Sequence, residues 1–309
     1  MKKIKSVVIL GPTGVGKSSL GIVIAQKFNG EIVSVDSRQM YRDIDIGTAK
    51  PSSEELKLVP HHMISVYPLD REVSAADYVK DASKIIKEID ERGKLPIIVG
   101  GTGFYFDFLL NGISNIPSRN SELRDRMENI ISKRNGIQKL YNLLKKVDSN
   151  RAARLTTNDR VRIIRALEVY LISGKPMSYF EKIKKVPIIN LEVIQLGLTM
   201  DRKLLYNAID RRVDKMVEMG LFNEIKKLIT SEINSKRLLT TIGYSEVLSY
   251  FDGEITENEC ISLIKRNSRR YAKRQFTWLR KIKELNWIDV NRDNYIADVI
   301  KLVDEFIEG

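Results

Sequence analysis

A chain of 309 residues with 43% hydrophobic and 30% charged residues reads as an ordinary soluble globular protein. It is long enough for one α/β domain that carries an insertion or a second lobe. No apolar run approaches the roughly 20 residues that cross a bilayer, and the single cysteine, Cys260, excludes an internal disulfide and a thiolate metal cluster. The net charge of +12 is concentrated, because Lys265 to Lys283 contains nine basic residues and no acidic one, a face suited to a polyanion such as nucleic acid.

Residues 6–10 form a β-rich apolar run that leads into Gly11-Pro12-Thr13-Gly14-Val15-Gly16-Lys17-Ser18. The run is too short for the core of a signal peptide, and together these features predict a cytoplasmic protein. Two glycines four residues apart, followed by Gly-Lys-Ser, fit a phosphate loop. Such a loop turns successive backbone N–H groups toward an anion, and the following helix adds the positive end of its dipole. Lys17 then reaches the outer phosphate and the Ser18 hydroxyl holds Mg²⁺. The bland alternative is a Gly-rich turn, but the strand before and the amphipathic stretch to Phe28 after it favour the phosphate loop.

Glu31–Val35 reads as a second strand, so the first unit is βαβ and the sheet parallel. That strand ends in Asp36-Ser37-Arg38-Gln39-Met40-Tyr41, and ligands in open α/β sheets sit beyond the carboxyl ends of strands. A carboxylate repels phosphate, so Asp36 suits a general base or a partner of magnesium-bound water. It also suits a plain cap of the turn. Residues 42–73 read mostly as loop, and the pair His61-His62, with no ligand partner at suitable spacing, reads as structural rather than metallic. Ser74 and Asp77 open a helix that stops at Gly93. Leu95–Val99 is the next buried strand and runs into Gly100-Gly101-Thr102-Gly103.

A hydrolase of the phosphate-loop type usually ends such a strand with a magnesium-holding aspartate. Here glycines follow, and no Asn-Lys-x-Asp stretch is present to read guanine, so routine nucleotide hydrolysis is disfavoured. From residue 116 to about 200 the βα rhythm gives way to amphipathic segments over 121–134, 137–146 and 158–172, rich in Lys and Arg. In the last of these Val161, Ile164, Leu167 and Leu171 form the expected apolar stripe. Its arginines serve either as a solvated face or as an RNA contact. Leu191–Leu198 returns as a strand. On the helix from Asp201 to Gly220, Arg212 falls on the inward stripe of Leu205, Ile209 and Met216. It either snorkels outward or clamps phosphate through its planar fork. Thr256 and Glu259 cap a long helix that carries the basic cluster, with Ile264, Tyr271, Trp278 and Ile282 expected toward the core.

Assembled in order, these motifs resemble one family, the tRNA dimethylallyltransferases (tRNA isopentenyltransferases), over essentially the whole chain. The resemblance rests on Gly11–Ser18, Asp36-Ser37-x-Gln39-x-Tyr41, Asp45-Ile-Gly-Thr-Ala-Lys-Pro51 and Gly100-Gly-Thr102-Gly-x-Tyr105. It continues through Arg162-x-x-Arg165-Ala-Leu-Glu168, Gly243-Tyr244 and Lys273-Arg274-Gln275-x-Thr-Trp278-x-Arg280. The chain departs from the pattern at Val161, where the family often has glutamine. The fold expected is a P-loop-containing nucleoside triphosphate hydrolase-like α/β core with a parallel sheet and a helical insertion domain. Residues 1–115 begin the core, 116–200 form the tRNA-binding insertion, and 201–309 complete the core with the basic helix.

The resemblance implies transfer of a dimethylallyl group from dimethylallyl diphosphate to N6 of adenine 37 in the tRNA anticodon stem-loop, with Mg²⁺ as cofactor. Asp36, Thr13, Lys17 and Arg212 are the catalytic residues that it implies. The N6 amine is a weak nucleophile because its lone pair is delocalised, so a base must take its proton as it attacks. The departing diphosphate needs donors and cations. A stacked base must also be extruded to be reached. Asp36, Ser37, Arg38, Gln39, Thr102, Arg124, Val161, Arg162, Arg165, Gly243, Tyr244, Lys273, Arg274, Gln275, Trp278 and Arg280 are the residues expected to hold the tRNA. A monomer with no obligate protein partner and no membrane association is expected. A small-molecule kinase, a prenyltransferase acting on free adenine nucleotides and a non-catalytic tRNA-binding protein are the alternatives. None of them accounts for both the intact loop chemistry and the basic helix.

Overall fold

A computed structural model describes residues 3–230 and 238–309. They divide into two compact units, residues 1–110 with 188–309, and residues 111–187. The loss of the βα rhythm in the sequence predicts an insertion over 116–200. The strand near 191 explains the difference, since it pairs with the first strand along its whole length and so belongs to the core.

In the first unit the chain begins β1 (Ile4–Leu10), α1 (Lys17–Lys27), β2 (Gly30–Val35). Next come α2 (Ser53–Leu58), β3 (His61–His62), α3 (Ala75–Glu91), β4 (Leu95–Gly100) and α4 (Gly103–Asn111). The second unit contains α5 (Ser121–Ile131), α6 (Gly136–Val147), α7 (Ser149–Ala152), α8 (Arg160–Ser173) and α9 (Met177–Lys182). The first unit resumes with β5 (Leu191–Thr199), α10 (Arg202–Glu218), α11 (Leu221–Thr230) and a 3₁₀ turn at Leu238–Thr240. It ends with α12 (Tyr244–Phe251), α13 (Glu257–Leu279), β6 (Asn286–Asp289) and α14 (Tyr295–Glu308).

The strands form one six-stranded sheet in the order β3-β2-β4-β1-β5-β6, and every pairing is parallel. Parallel strands with both faces covered read as continuous apolar runs, and β1, β2 and β4 do so. Val7, Ile9, Ile32, Ile97 and Val99 meet Leu20 and Ile24 of α1 and Val299 and Val303 of α14 in one core. The capping boxes at Ser74 and Thr256 are both formed, and they start α3 and α13 where expected. The loop expected over 42–73 contains two short elements, α2 and β3, that carry too few residues to show a period. His62 Nε2 lies 2.7 Å from Glu31 Oε2 and His61 Nδ1 lies 2.9 Å from the Val59 carbonyl, so both histidines secure this sheet edge.

The second unit packs α5, α6 and α8 around Met127, Leu140, Leu144, Ile163, Ile164 and Leu167. The expected stripe on α8 is half right. Val161 is 69% exposed and Leu171 54%, whereas Ile163 and Ala166 are buried, so the apolar face is rotated from the one expected. At its centre Glu168 is fully buried. It accepts two hydrogen bonds from Arg124, at 2.8 and 2.9 Å, one from Arg165 at 2.5 Å and one from the Asn120 N–H at 2.8 Å. Burial pushes this carboxyl up, but the arginine hydrogen bonds outweigh it and hold the pKa at about 2.

A carboxylate held low in the folded state contributes stability above its ordinary pKa and loses it as pH falls through the folded value. Glu168→Gln should therefore lower unfolding stability by about 3 kcal/mol at neutral pH, because it leaves two guanidinium groups without a counter-charge. The deficit should shrink as pH falls from 4.5 toward 2. Urea denaturation across that range checks both statements, and an unchanged midpoint at pH 7 would mean the triad is energetically neutral.

Candidate active site

The site lies at the carboxyl ends of β1, β2 and β4, in a cavity of about 500 Å³. Gly14 and Gly16 take φ values of +83° and +95°, which a side chain would oppose, and they bend the loop back under the start of α1. Gly16 caps α1 without a side-chain hydrogen bond, so the first N–H groups of the helix stay available to an anion. The Lys17 ammonium donates to the Pro12 carbonyl at 2.8 Å. Ser18, at the first turn of α1, is exposed and lines the cavity.

Arg212 settles the choice left open on its helix. It does not snorkel, and its Nη1 donates to Thr13 Oγ1 at 2.9 Å beside the phosphate loop. The stripe around it comprises Leu205, Ile209 and Val213, with Met216 only half-buried. Burial lowers the pKa of this guanidinium while the Asp36 charge pulls the other way. Burial also lowers Lys17, to about 7, with the Arg212 charge adding to the effect and Asp36 opposing it. Burial, more than the neighbouring guanidinium, is what makes the charged form of Lys17 costly.

Asp36 both caps and faces the cavity. Its Oδ1 accepts from the N–H groups of Arg38 at 2.8 Å and Gln39 at 3.2 Å, while Oδ2 has no hydrogen-bond partner among the described residues. The Ser37 N–H donates to Thr102 Oγ1 at 3.2 Å, which ties the end of β2 to the glycine turn after β4. Arg38 reaches across to the Thr240 carbonyl and hydroxyl at 3.3 and 3.2 Å.

Several residues expected to touch RNA have internal partners instead. The Gln39 side chain donates to the carbonyls of Thr48 and Ala49, at 3.3 and 2.9 Å, and accepts from the Ser34 hydroxyl at 3.1 Å. Gln275 is buried. Its Oε1 accepts from the Thr13 N–H at 2.8 Å and its Nε2 donates to the Gly101 carbonyl at 3.1 Å, so the basic helix clasps the phosphate loop. Tyr244 is fully buried and donates to Glu224 at 2.5 Å, and Gly243, at φ +95°, starts α12 at the cavity wall. Trp278 meets Phe106 edge-on at 6.3 Å. In the second unit Arg124 and Arg165 hold Glu168, and Arg162, more exposed, pairs with Asp159 at 3.1 Å. On α13, Lys265 and Arg269 pair with Asp214 and Asp210 of α10, whereas Lys273, Arg274 and Arg280 are exposed.

Tyr271 was read as a core position. It lines the cavity, and burial, with the Asp36 charge next, pushes its hydroxyl up to about 12. A tyrosine at a seven-residue interval between Ile264 and Trp278 looks like core, and only its polar tip hinted otherwise. Among the described residues no group of three or more His, Cys, Asp or Glu side chains is placed to hold a metal.

The IPP transferase family model matches residues 39–282. A tRNA dimethylallyltransferase of Carboxydothermus hydrogenoformans is 43% identical over 302 residues, covering 97% of this chain and 97% of that protein. One from Halalkalibacterium halodurans is 40% identical over 308 residues, covering 99% and 98%. Among solved structures, the full-length tRNA isopentenylpyrophosphate transferase of Bacillus halodurans superposes with a TM-score of 0.73 at 39% identity, covering 99% of this chain and 97% of that one. A eukaryotic dimethylallyltransferase captured acting on tRNA gives 0.82 at 31% identity, covering 99% and 80%.

A lysine that titrates near 7 is largely neutral at pH 8 and regains its proton when a phosphate arrives. Inorganic diphosphate should therefore bind at pH 8 with close to one proton more taken up by the unaltered protein than by Lys17→Met, because any proton that the anion itself loses is common to both. Calorimetry at pH 8 in buffers of different ionisation enthalpy measures the two proton balances. The same balance in both proteins would mean that Lys17 is already charged before the anion arrives.

Proposed function

The chain belongs to the IPP transferase family, and on that premise we propose that it transfers a dimethylallyl group from dimethylallyl diphosphate to N6 of adenine 37 in tRNA, releasing diphosphate. The carrying observation is the convergence on one cavity of the phosphate loop, Arg212 over Thr13, and a carboxylate with one open oxygen. Gly100 and Gly101 line the same cavity where a hydrolase would place an aspartate. A Cβ on Gly100 would fall 2.1 Å from the Val35 carbonyl and one on Gly101 2.2 Å from Gln275 Nε2, so the glycines let the neighbouring strand and Gln275 close on this turn.

In this reading the N6 lone pair attacks C1 of the allyl group. The N6–C1 bond forms as the C1–O bond breaks, and the diphosphate leaves with the electron pair. Asp36, whose Oδ1 is anchored by two backbone N–H groups, takes the N6 proton on Oδ2. The loop amides, Lys17 and Arg212 receive the charge that grows on the departing group. Thr13, held between Arg212 and Gln275, keeps that clamp in place. The Tyr271 hydroxyl, kept protonated well above neutral pH, offers a neutral donor at the cavity wall.

The donor set fits a magnesium ion that arrives with the diphosphate, because Mg²⁺ takes one or two protein oxygens and otherwise phosphate and water. The Ser18 hydroxyl would hold it. When bound there, the ion neutralises charge on the leaving diphosphate. The anticodon stem-loop would lie against the exposed cations Lys273, Arg274 and Arg280, with Ser37, Arg38, Thr102 and Arg162 as further contacts. The protein would act as a monomer in the cytoplasm, where its tRNA is found. No helix among the described residues is long and apolar enough to cross a membrane.

Incubation with labelled dimethylallyl diphosphate and either anticodon stem-loop RNA or adenosine monophosphate tests the reading. Label should enter the RNA, and label in the mononucleotide alone would favour the free-nucleotide alternative. Asp36→Ala should lower single-turnover transfer by roughly 10²-fold or more while tRNA affinity changes little, and near-normal transfer would remove Asp36 from the role of base. Lys273→Ala and Arg274→Ala should each weaken tRNA binding and make its dependence on salt shallower. An unchanged salt slope would place the RNA elsewhere.

A further inference from the structure

Glu224, on α11, belongs to none of the motifs above, yet it accepts four hydrogen bonds. Its Oε2 accepts from the backbone N–H groups of Asp45 at 2.9 Å and Ile46 at 2.8 Å. Its Oε1 accepts from the Gly47 N–H at 3.3 Å and the Tyr244 hydroxyl at 2.5 Å. An ionised carboxylate has about four acceptor sites, so this one is filled. The loop it grips is also pinned by packing, because a Cβ on Gly47 would fall 2.4 Å from the Tyr244 ring.

The same loop lines the cavity from Gly47 to Pro51 and is held in a tense shape. Ala49 sits at φ +48°, a conformation that persists only where its surroundings enforce it. The enforcing contacts come from two sides. Glu224 grips residues 45–47, and the Gln39 amide donates to the carbonyls of Thr48 and Ala49. The Gln39 backbone N–H in turn is one of the two that anchor Asp36 Oδ1. A continuous hydrogen-bonded path thus runs from Glu224 through residues 45–49 and Gln39 to the turn that orients Asp36.

The other half of the reaction is tied to the same structure. Arg212 lies on α10, which joins α11 through Met219 and Gly220. One helical hairpin therefore carries the clamp beside Thr13 directly and the Asp36 turn at one remove. We infer that Glu224 is a positioning residue for transfer, fixing the loop that, through Gln39, sets the turn aiming Asp36 at the attacking amine. This rests on the transferase reading above.

The test uses full-length Glu224→Gln, Gln39→Ala and the double variant. An amide at 224 turns a donor toward N–H groups that need an acceptor, with little change in volume. Single-turnover transfer should fall roughly 10-fold or more in each single variant, with KM for both substrates changed much less, because small misplacements of a reacting group act on the chemical step. The double variant should fall well short of the product of the two single effects, since both act through one path. Glu224→Gln paired with Lys273→Ala should instead multiply.

Hydrogen exchange gives a readout independent of activity. The amides of Arg38 and Gln39 should exchange faster in Glu224→Gln, while those of β1 should not. If those two amides are unchanged, or if the double variant is fully multiplicative, the inference is wrong even though wild-type transfer stands. If wild-type protein transfers no label, the transferase reading and this inference fall together. If Glu224→Gln does not fold, Tyr244→Phe, which keeps the carboxylate and removes one donor, should show the same faster exchange at residues 38 and 39 to a lesser degree, and no change there would overturn the path.

Discussion

Two cations that converge on the phosphate loop form the constraint on which the rest of this structure depends. Lys17 and Arg212 lie 195 positions apart in sequence, on the first and tenth helices, yet both close on Thr13 or its neighbour Pro12. Like charges in a half-buried site repel, and burial removes the water that would screen them. The arrangement is tolerable because Asp36 supplies a nearby negative charge. A pocket of this kind stabilises charge as it develops, since the dipoles and cations are already oriented before reaction.

Holding that arrangement needs rigid neighbours, and the chain supplies them with a repeated device. Polar side chains reach in and satisfy the backbone of loops that would otherwise be free to move, Gln275 and Glu224 from distant helices and Gln39 from the turn after β2. Gln275 joins the phosphate loop to the glycine turn after β4. Gln39 holds the carbonyls of residues 48 and 49, and Glu224 holds the N–H groups of residues 45–47. Most of the backbone groups they satisfy are part-buried, where a missing partner costs free energy. In the second unit Glu168 serves the same purpose for two arginines and the start of α5. Loops carry the chemistry here, and helices keep them in place.

This device explains why residue type alone does not separate a contact with RNA from a contact within the chain. Gln39, Gln275, Tyr244, Arg124 and Arg165 are all types that bind RNA readily, and all but Arg124 sit in the motifs that carry the family resemblance. Gln275 and Arg124 are held by partners more than 20 residues away, Tyr244 by one 20 away and Gln39 by partners within ten, while Arg165 reaches both Glu168 and the Pro117 carbonyl. A donor looks the same in a sequence whether it faces water, a phosphate or a carboxylate of its own chain. The exposed cations Lys273 and Arg274 differ from the paired Lys265 and Arg269 only in what α10 happens to place opposite them.

Much was nonetheless legible from residues alone. The spacing of Gly11, Gly16, Lys17 and Ser18 between an apolar run and an amphipathic one determined the first βαβ turn, because only that backbone path satisfies the pattern. Asp36 was placed by the end of the second β-rich run and Arg212 by the 3.6-residue period of an apolar stripe, and both line the cavity. The two-residue strand β3, the helix α4, the true apolar face of α8 and the cavity-side position of Tyr271 were not legible. Short elements show no period, and the face a helix buries is decided by what packs against it. Above all, tertiary structure decided which polar side chains remain open to a substrate, because a hydrogen bond depends on where its partner lies in space, and sequence spacing carries no such distance.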